Sequence, residues 1–319
     1  MRRSPPHDFG AGLVGNQLTE QALNDAPFFT LWWSNPLGGA NDDYDLFLLD
    51  NTLTNVVAFS ANVQDGDDDP LEAINSVGID HTGNRLVITK FSGADQFLQL
   101  NTHRGILQAG TDGQITGHAG AEGAFAVAAV NVSTASGGPF VGGAANPVEP
   151  FSSDGPRRIF FNPDGSPVVV TAAGPRGDSA RGPSFITRNK PDISAADGVM
   201  TTTPGFTTFF GTSASVPHGA GLLALLKQLD TNLTSEELRQ FFSTAALDIE
   251  TPGFDRDSGH GIFDAQNAAE LASRSSRTVS SRETPRRGAT PCRRRSGDRA
   301  RSLHDKIGST RKISGSVYV

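Results

Sequence analysis

The sequence predicts an all-β, sandwich-like module followed by an α/β layer. Three observations carry that expectation. Short apolar runs separated by Asp, Asn and Gly clusters fill residues 28–107. Beyond residue 110, strand-like runs are followed by a segment at 212–227 that is apolar nearly all round, as a buried helix would be. From residue 274 onward there is no apolar period at all, and Ser, Arg, Thr, Pro and Gly dominate. The implied partition is a lead-in at 1–27, the β module at 28–109, the α/β part at 110–273 and a basic, disordered tail at 274–319.

In the β module the strand candidates are Phe28-Phe29-Thr30-Leu31-Trp32-Trp33, Tyr44 through Leu49, Asn55 through Ser60, Arg85 through Lys90 and Gln96 through Leu100. Polar turns between short strands favour a sandwich. The small apolar run at 122–132 reads as a short helix leading into a buried strand. Val168-Val169-Val170-Thr171 and the run from Phe206 to Phe210 are further strand candidates. A second helix opens at Thr234, where Thr234 and Glu237 have capping-box spacing. A third is expected over 264–273.

Charge divides the chain in two. Residues 274–319 hold 13 Lys+Arg against 3 Asp+Glu, a net of +10, whereas residues 1–273 hold 14 against 31, a net of −17. An acidic body repels a polyanion, so a nucleic-acid partner is not expected for it. The Arg293-Arg294-Arg295 run fits a solvated appendage or a nucleic-acid patch. The single cysteine, Cys292, allows no disulfide within the chain. No apolar run is long enough to span a bilayer, and the opening Met1-Arg2-Arg3 has no apolar stretch behind it of the kind a signal peptide needs.

The chemistry-bearing segment runs Phe210-Gly211-Thr212-Ser213-Ala214-Ser215-Val216-Pro217-His218-Gly219-Ala220-Gly221. A strand ends, glycine permits a sharp turn, and a serine stands where a helix begins. The first N–H groups of a helix lack intrahelical partners and carry partial positive charge. A serine there could attack a carbonyl while its own N–H steadies the oxyanion. Taken alone, the same serine is more readily an N-cap.

The wider pattern, Gly-Thr-Ser-x-x-x-Pro-His-x-Ala-Gly, resembles the nucleophile motif of the subtilisin-like serine peptidases (the subtilases, peptidase family S8). Ala214-Ser215 departs slightly from the family's Met and small residue. Lys190-Pro191-Asp192-Ile193, with Ala195 and Gly198, resembles the family's Lys-Pro-Asp-Ile-x-Ala-Pro-Gly strand, Asp197 standing in place of its proline. Phe151-Ser152-Ser153-Asp154-Gly155-Pro156 is similar to its Phe-Ser-Ser-x-Gly-Pro element. Thr244-Ala245, Pro252-Gly253, Asp255, Gly259-His260-Gly261 and Asp264-Ala265 are similar to its closing segment. The resemblance covers about residues 110–272. It implies the C-terminal half of a doubly wound parallel α/β sheet and a serine endopeptidase acting on proteins or peptides, extracellular and without a required cofactor. Ser213 would be the nucleophile of an Asp-His-Ser triad.

The remainder of that triad has no motif in this chain. His7, His81, His103 and His118 lack the family's His-Gly-Thr-His setting, and no Asp-Ser/Thr-Gly strand end precedes residue 151. In the family His218 belongs to the serine motif and is not the base. Ala172-Ala173-Gly174 is followed by Pro175, which has no side chain to build an oxyanion hole. The expectation is therefore a part of a longer protease, inactive alone. A non-catalytic remnant binding through its β module is the alternative. Trp33-Ser34-Asn35-Pro36 with Asn41-Asp42-Asp43-Tyr44-Asp45-Leu46 resembles β-sandwich modules found in some secreted bacterial subtilases. Asn41, Asp42, Asp43 and Asp45, with Asp65, Asp67, Asp68 and Asp69, are either acidic turn residues or oxygen ligands for a structural Ca²⁺.

Overall fold

The computed structural model describes residues 5–21, 28–75, 79–103, 105–169 and 183–271. All of them fall in one compact unit, Met1–Ser276. Cys292, the 293–295 arginines, Ala172-Ala173-Gly174 and the second half of the Val168-to-Thr171 run lie outside the described residues.

The first eight strands are β1 (Asn16–Gln21), β2 (Phe28–Trp33), β3 (Asp43–Leu49), β4 (Val56–Ser60), β5 (Leu71–Asn75), β6 (Arg85–Ser92), β7 (Leu98–Asn101) and β8 (Gly105–Leu107). They form a five-stranded sheet in the order β4-β3-β6-β1-β8 and a three-stranded sheet in the order β5-β2-β7. Every pairing is antiparallel. One apolar cluster serves both sheets: Leu18, Phe29, Leu31, Trp33, Tyr44, Leu46, Leu48, Ile74, Leu86 and Ile88 are all buried in it. The alternation that the sequence shows in β3 is the inward face of this core: Tyr44, Leu46 and Leu48 are buried while Asp45, Phe47 and Leu49 are half-buried. β2, β3, β4, β6 and β7 occupy the five expected runs. β1 was not expected, because Asn16-Gln17-Leu18-Thr19-Glu20-Gln21 carries a single apolar residue; pairing with β6 and β8 decides it.

The rest comprises β9 (Val127–Asn131), β10 (Arg157–Ile159), β11 (Ile186–Arg188), β12 (Ile193–Asp197), β13 (Val199–Met200), β14 (Thr208–Phe209), α1 (Thr212–Leu229) and α2 (Ser235–Ala245). Residues 265–271 are helical as well. β9 and β12 run parallel, in register from Ile193 opposite Val127 to Asp197 opposite Asn131. The architecture is thus mixed α/β, with several antiparallel sheets and one small parallel pair. Among the described residues the parallel ladder holds two strands, extended by single parallel bridges such as Ser194 to Ile262.

Three local expectations are corrected. Residues 122–126 make turns before β9 and not a helix, and the nearest helical turn is a 3-10 segment at Gly117–Gly120. Val168 and Val169 are not in a strand. Helix α1 is not buried all round: Ala214, Ser215, Gly219 and Leu226 are covered, but Val216, Leu225 and Leu229 stand exposed. Its inner face rests on β9 and β12, joining a cluster of Ile193, Leu226, Phe242, Ala245, Phe263 and Ala268. A two-strand platform covers only one side of a helix.

The α2 capping box forms as the sequence implies. Thr234 Oγ1 accepts the Glu237 N–H at 3.2 Å, and Glu237 Oε2 accepts the Thr234 N–H at 2.8 Å.

Candidate active site

β12 delivers the chain to Asp197, the β13–β14 hairpin follows, and Phe210-Gly211 turns into α1. Gly211 has φ 107° and ψ 163°, a conformation that a side chain would strain. It is the N-cap residue, and having no side chain it caps nothing. Its carbonyl accepts the N–H groups of Ala214 at 2.8 Å and Ser215 at 3.3 Å. Among the described residues, no group accepts the N–H of Thr212 or Ser213. The helix end therefore presents two free donors and its positive pole.

Ser213 is the second residue of α1, exposed, and no described residue hydrogen-bonds its hydroxyl. The N-cap reading of this serine is thereby removed, since Gly211 holds that position and Ser213 Oγ receives no backbone N–H. Pro217 is the sixth helical residue, beyond the four whose N–H groups are free in any helix. It withdraws the N–H that the Ser213 carbonyl would otherwise receive.

Beneath the turn lies a residue the motif reading left without a role. Asp197 is fully buried, and its Oδ2 accepts the Gly211 N–H at 2.8 Å. Its Oδ1 is buried with no partner among the described residues. Burial raises its carboxyl above the usual range, and Glu149 adds to the rise. The only hint in the sequence is an acid ending a run of small buried residues.

The flanking motif elements converge on β9 and β12. Asp192 is their knot: its Oδ2 accepts the Ala126 N–H at 2.7 Å and Lys190 Nζ at 2.7 Å, and its Oδ1 pairs with the Arg239 guanidinium from α2. Lys190, only 3% exposed, also donates to the Ala124 carbonyl at 2.6 Å. Gly155 allows the 151–156 segment to close on this point, since a Cβ there would lie 1.7 Å from the Lys190 carbonyl oxygen. Ser152 Oγ accepts the Ala129 N–H at 2.9 Å, and Ser194 N–H reaches the Gly261 carbonyl at 2.8 Å. Four segments far apart in sequence thus hold the strand pair that carries α1.

A model of the subtilase family (peptidase S8) matches residues 82–261. The chain belongs to the subtilase family. The minor extracellular protease Epr of Bacillus subtilis (strain 168) is 31% identical over 102 residues, an alignment covering 31% of this chain and 15% of that protein. The Clostridium perfringens CspB protease structure overlaps with a TM-score of 0.46 at 16% identity, covering 81% of this chain and 55% of that one. This subtilase chain therefore spans well under two thirds of either relative.

Among the described residues, no histidine is brought to Ser213. His218 Nδ1 is engaged with the Ala214 carbonyl at 2.8 Å, one turn back along α1. His118 is exposed on the 3-10 turn. Among the described residues, no histidine or carboxylate is hydrogen-bonded to the serine. The acidic residues of the β module divide. Asp42 is consumed by protein donors: Asn35 Nδ2 at 2.8 Å, Ala94 N–H at 2.6 Å and Gln96 Nε2 at 2.6 Å. Asp65, Asp67 and Asp68 place carboxylate oxygens within 4.8 Å of one another, all exposed. The hydrogen bond and charge of Asp67 raise the carboxyl of Asp65. Exposed acidic groups of this kind are common without an ion. No helix among the described residues is long and apolar enough to cross a membrane.

Proposed function

We propose that this chain carries the nucleophile of a subtilase serine endopeptidase, with Ser213 as the attacking group. The carrying observation is the exposed, unbonded Ser213 hydroxyl beside two free N–H donors at the start of α1. In the reaction, Oγ attacks the peptide carbonyl carbon as its proton passes to a base, and the carbonyl becomes an oxyanion. The Ser213 N–H and the helix pole favour that oxyanion. The tetrahedral species collapses to an acyl-serine as the base returns the proton to the leaving amine, and water then releases the acyl group by the same steps.

The base and the aspartate that would orient it come, on this reading, from polypeptide outside these 319 residues. The β9–β12 pair would be the edge of a wider, doubly wound parallel sheet. The exposed Val216, Leu225 and Leu229 of α1 support this, since a helix so apolar needs cover on its second side. Substrates would be proteins or peptides and the setting extracellular, as for the similar Bacillus protease. A serine without its base loses on the order of 10⁶ in turnover. That no described residue serves Ser213 as a base equally favours a non-catalytic remnant.

A fluorophosphonate probe with intact-mass readout separates these readings. The chain alone is expected to give no adduct, and the chain extended by an aspartate- and histidine-bearing subtilase half is expected to give one adduct, lost in Ser213→Ala. An adduct on the chain alone that Ser213→Ala abolishes would overturn the missing-base reading. An extended chain without a Ser213-dependent adduct would overturn the nucleophile assignment and leave the remnant.

A further inference from the structure

A cavity of about 790 Å³ lies between the three-stranded sheet and β10, and no residue of the serine turn lines it. Its apolar wall includes Trp32, Phe97, Leu98, Leu100 and Phe160. Trp32 keeps 37% of its surface exposed there. The volume is in the range of real ligand sites, which are apolar with a few fixed polar groups.

Two features of the wall are unsatisfied. The first is a charge. The Arg157 guanidinium is partly buried, and burial pushes its pKa down. Its one hydrogen bond among the described residues goes to a neutral group, Gln99 Oε1, at 3.0 Å. The carboxylates that share the cavity are engaged elsewhere. Asp8 Oδ1 accepts the N–H groups of Gly10 and Gly12 at 2.9 and 3.0 Å. Asp112 is divided between Arg158 and Arg256, each at 3.9 Å. Arg158 itself lies over the rings of Phe97 and Phe185, at 5.9 and 5.8 Å. A half-buried guanidinium with no carboxylate paired to it among the described residues favours an incoming carboxylate, which it can grip through two parallel N–H bonds.

The second feature is backbone. Among the described residues β7 is the last strand of its sheet, pairing only with β2, and β10 pairs only with β11. Both strands line the cavity. Each has one edge that no described strand occupies, and such edges accept an added extended strand.

We propose that this cavity binds an extended acidic peptide along a strand edge. The peptide's Asp or Glu carboxylate meets Arg157, and an aromatic or branched residue two positions away on the same face packs near Trp32 and Phe97. Alternate side chains of a strand share a face, so the two anchors fall on one side. A small free acid would satisfy Arg157 but leave the strand edges open.

The test uses the full chain in a Ser213→Ala background, so that cleavage plays no part and failure here is separable from failure of the peptidase reading. A fluorescein-labelled octapeptide with Phe and Glu two positions apart is titrated by fluorescence polarisation. Saturable binding is expected. It should weaken about tenfold or more when the peptide Glu is replaced by Gln, by a similar factor in Arg157→Gln, and no further when both changes are combined. Arg157→Lys, which keeps the charge and loses the fork, should fall between. The peptide-side change needs no protein variant, and thermal melts of the variants check folding. Absence of saturable binding, equal affinity for the Glu and Gln peptides, or undiminished binding by a folded Arg157→Gln would each overturn the proposal. So would equally tight binding of the free Phe and Glu amino acids.

Discussion

Asp197 Oδ2 accepts the N–H of Gly211 at 2.8 Å, so a buried carboxyl at the end of β12 holds the turn that presents Ser213. Its other oxygen has no partner among the described residues, and burial raises its pKa. A neutral amide oxygen can take the same N–H without a buried charge. Asp197→Asn is therefore expected to change stability by less than about 1 kcal/mol. Asp197→Ala leaves the Gly211 N–H unpaired and a void beneath the turn, costing about 2 kcal/mol. Gly211→Ala should cost about 1–3 kcal/mol through its φ of 107°. Urea melts of the three variants check the order; an Asn variant as damaged as the Ala variant would show that the charge itself is required.

Asp192 ties β9, β12 and α2 through Ala126, Lys190 and Arg239. Removing it strands the Lys190 ammonium, 3% exposed, on the Ala124 carbonyl alone. Asp192→Ala should destabilise by about 3–5 kcal/mol. Lys190→Met in the same chain should recover part of that loss, and strict additivity in the double-mutant cycle would contradict the pairing.

Asp43 on β3 is 3% exposed, with its Oδ1 buried and without a partner among the described residues. Burial, then the charges of Asp45 and Glu72, push its carboxyl from 3.8 up to about 6. The folded chain thus binds this proton more tightly than the unfolded chain. Its unfavourable ionisation is absent below about pH 4, grows as pH rises through 6, and is complete above that. Asp43→Asn should raise stability by on the order of 1–3 kcal/mol at pH 8 and leave it unchanged at pH 4. Melting curves at the two pH values decide; a gain independent of pH would locate its cause elsewhere.

Thr234→Ala should cost about 1 kcal/mol, because it leaves the first turn of α2 without its side-chain acceptor. Far-ultraviolet circular dichroism against temperature would read it. Glu237→Gln, which still reaches the Thr234 N–H, should cost less.

Much of the architecture was legible because its signals are local. The alternation of β3, the aromatic run of β2 and the Thr234-to-Glu237 spacing each depend on residues a few positions apart. The serine motif was legible for the same reason, and the family match spans it. β1 was not legible, since six residues with one apolar side chain become a strand only when β6 and β8 lie beside them. The short helix expected within the 122–132 run failed for a related reason. Its small residues suit several conformations, and the Asp192 carboxylate, 66 positions away, fixes the Ala126 N–H at the entrance to β9.

The sequence by itself determined β2, β3, β4, β6 and β7, the two helices α1 and α2, where α2 would start, and that a serine would stand at the opening of α1. Only the tertiary structure decided that this serine is not a cap, that Asp197 and Asp192 anchor its platform, that one face of α1 stands exposed, and that no carboxylate among the described residues pairs with Arg157. The first set follows from backbone propensity and side-chain period, which neighbours in the chain impose. The second depends on which buried polar groups meet across long stretches of chain, and burial makes each missing or completed partnership costly enough to matter.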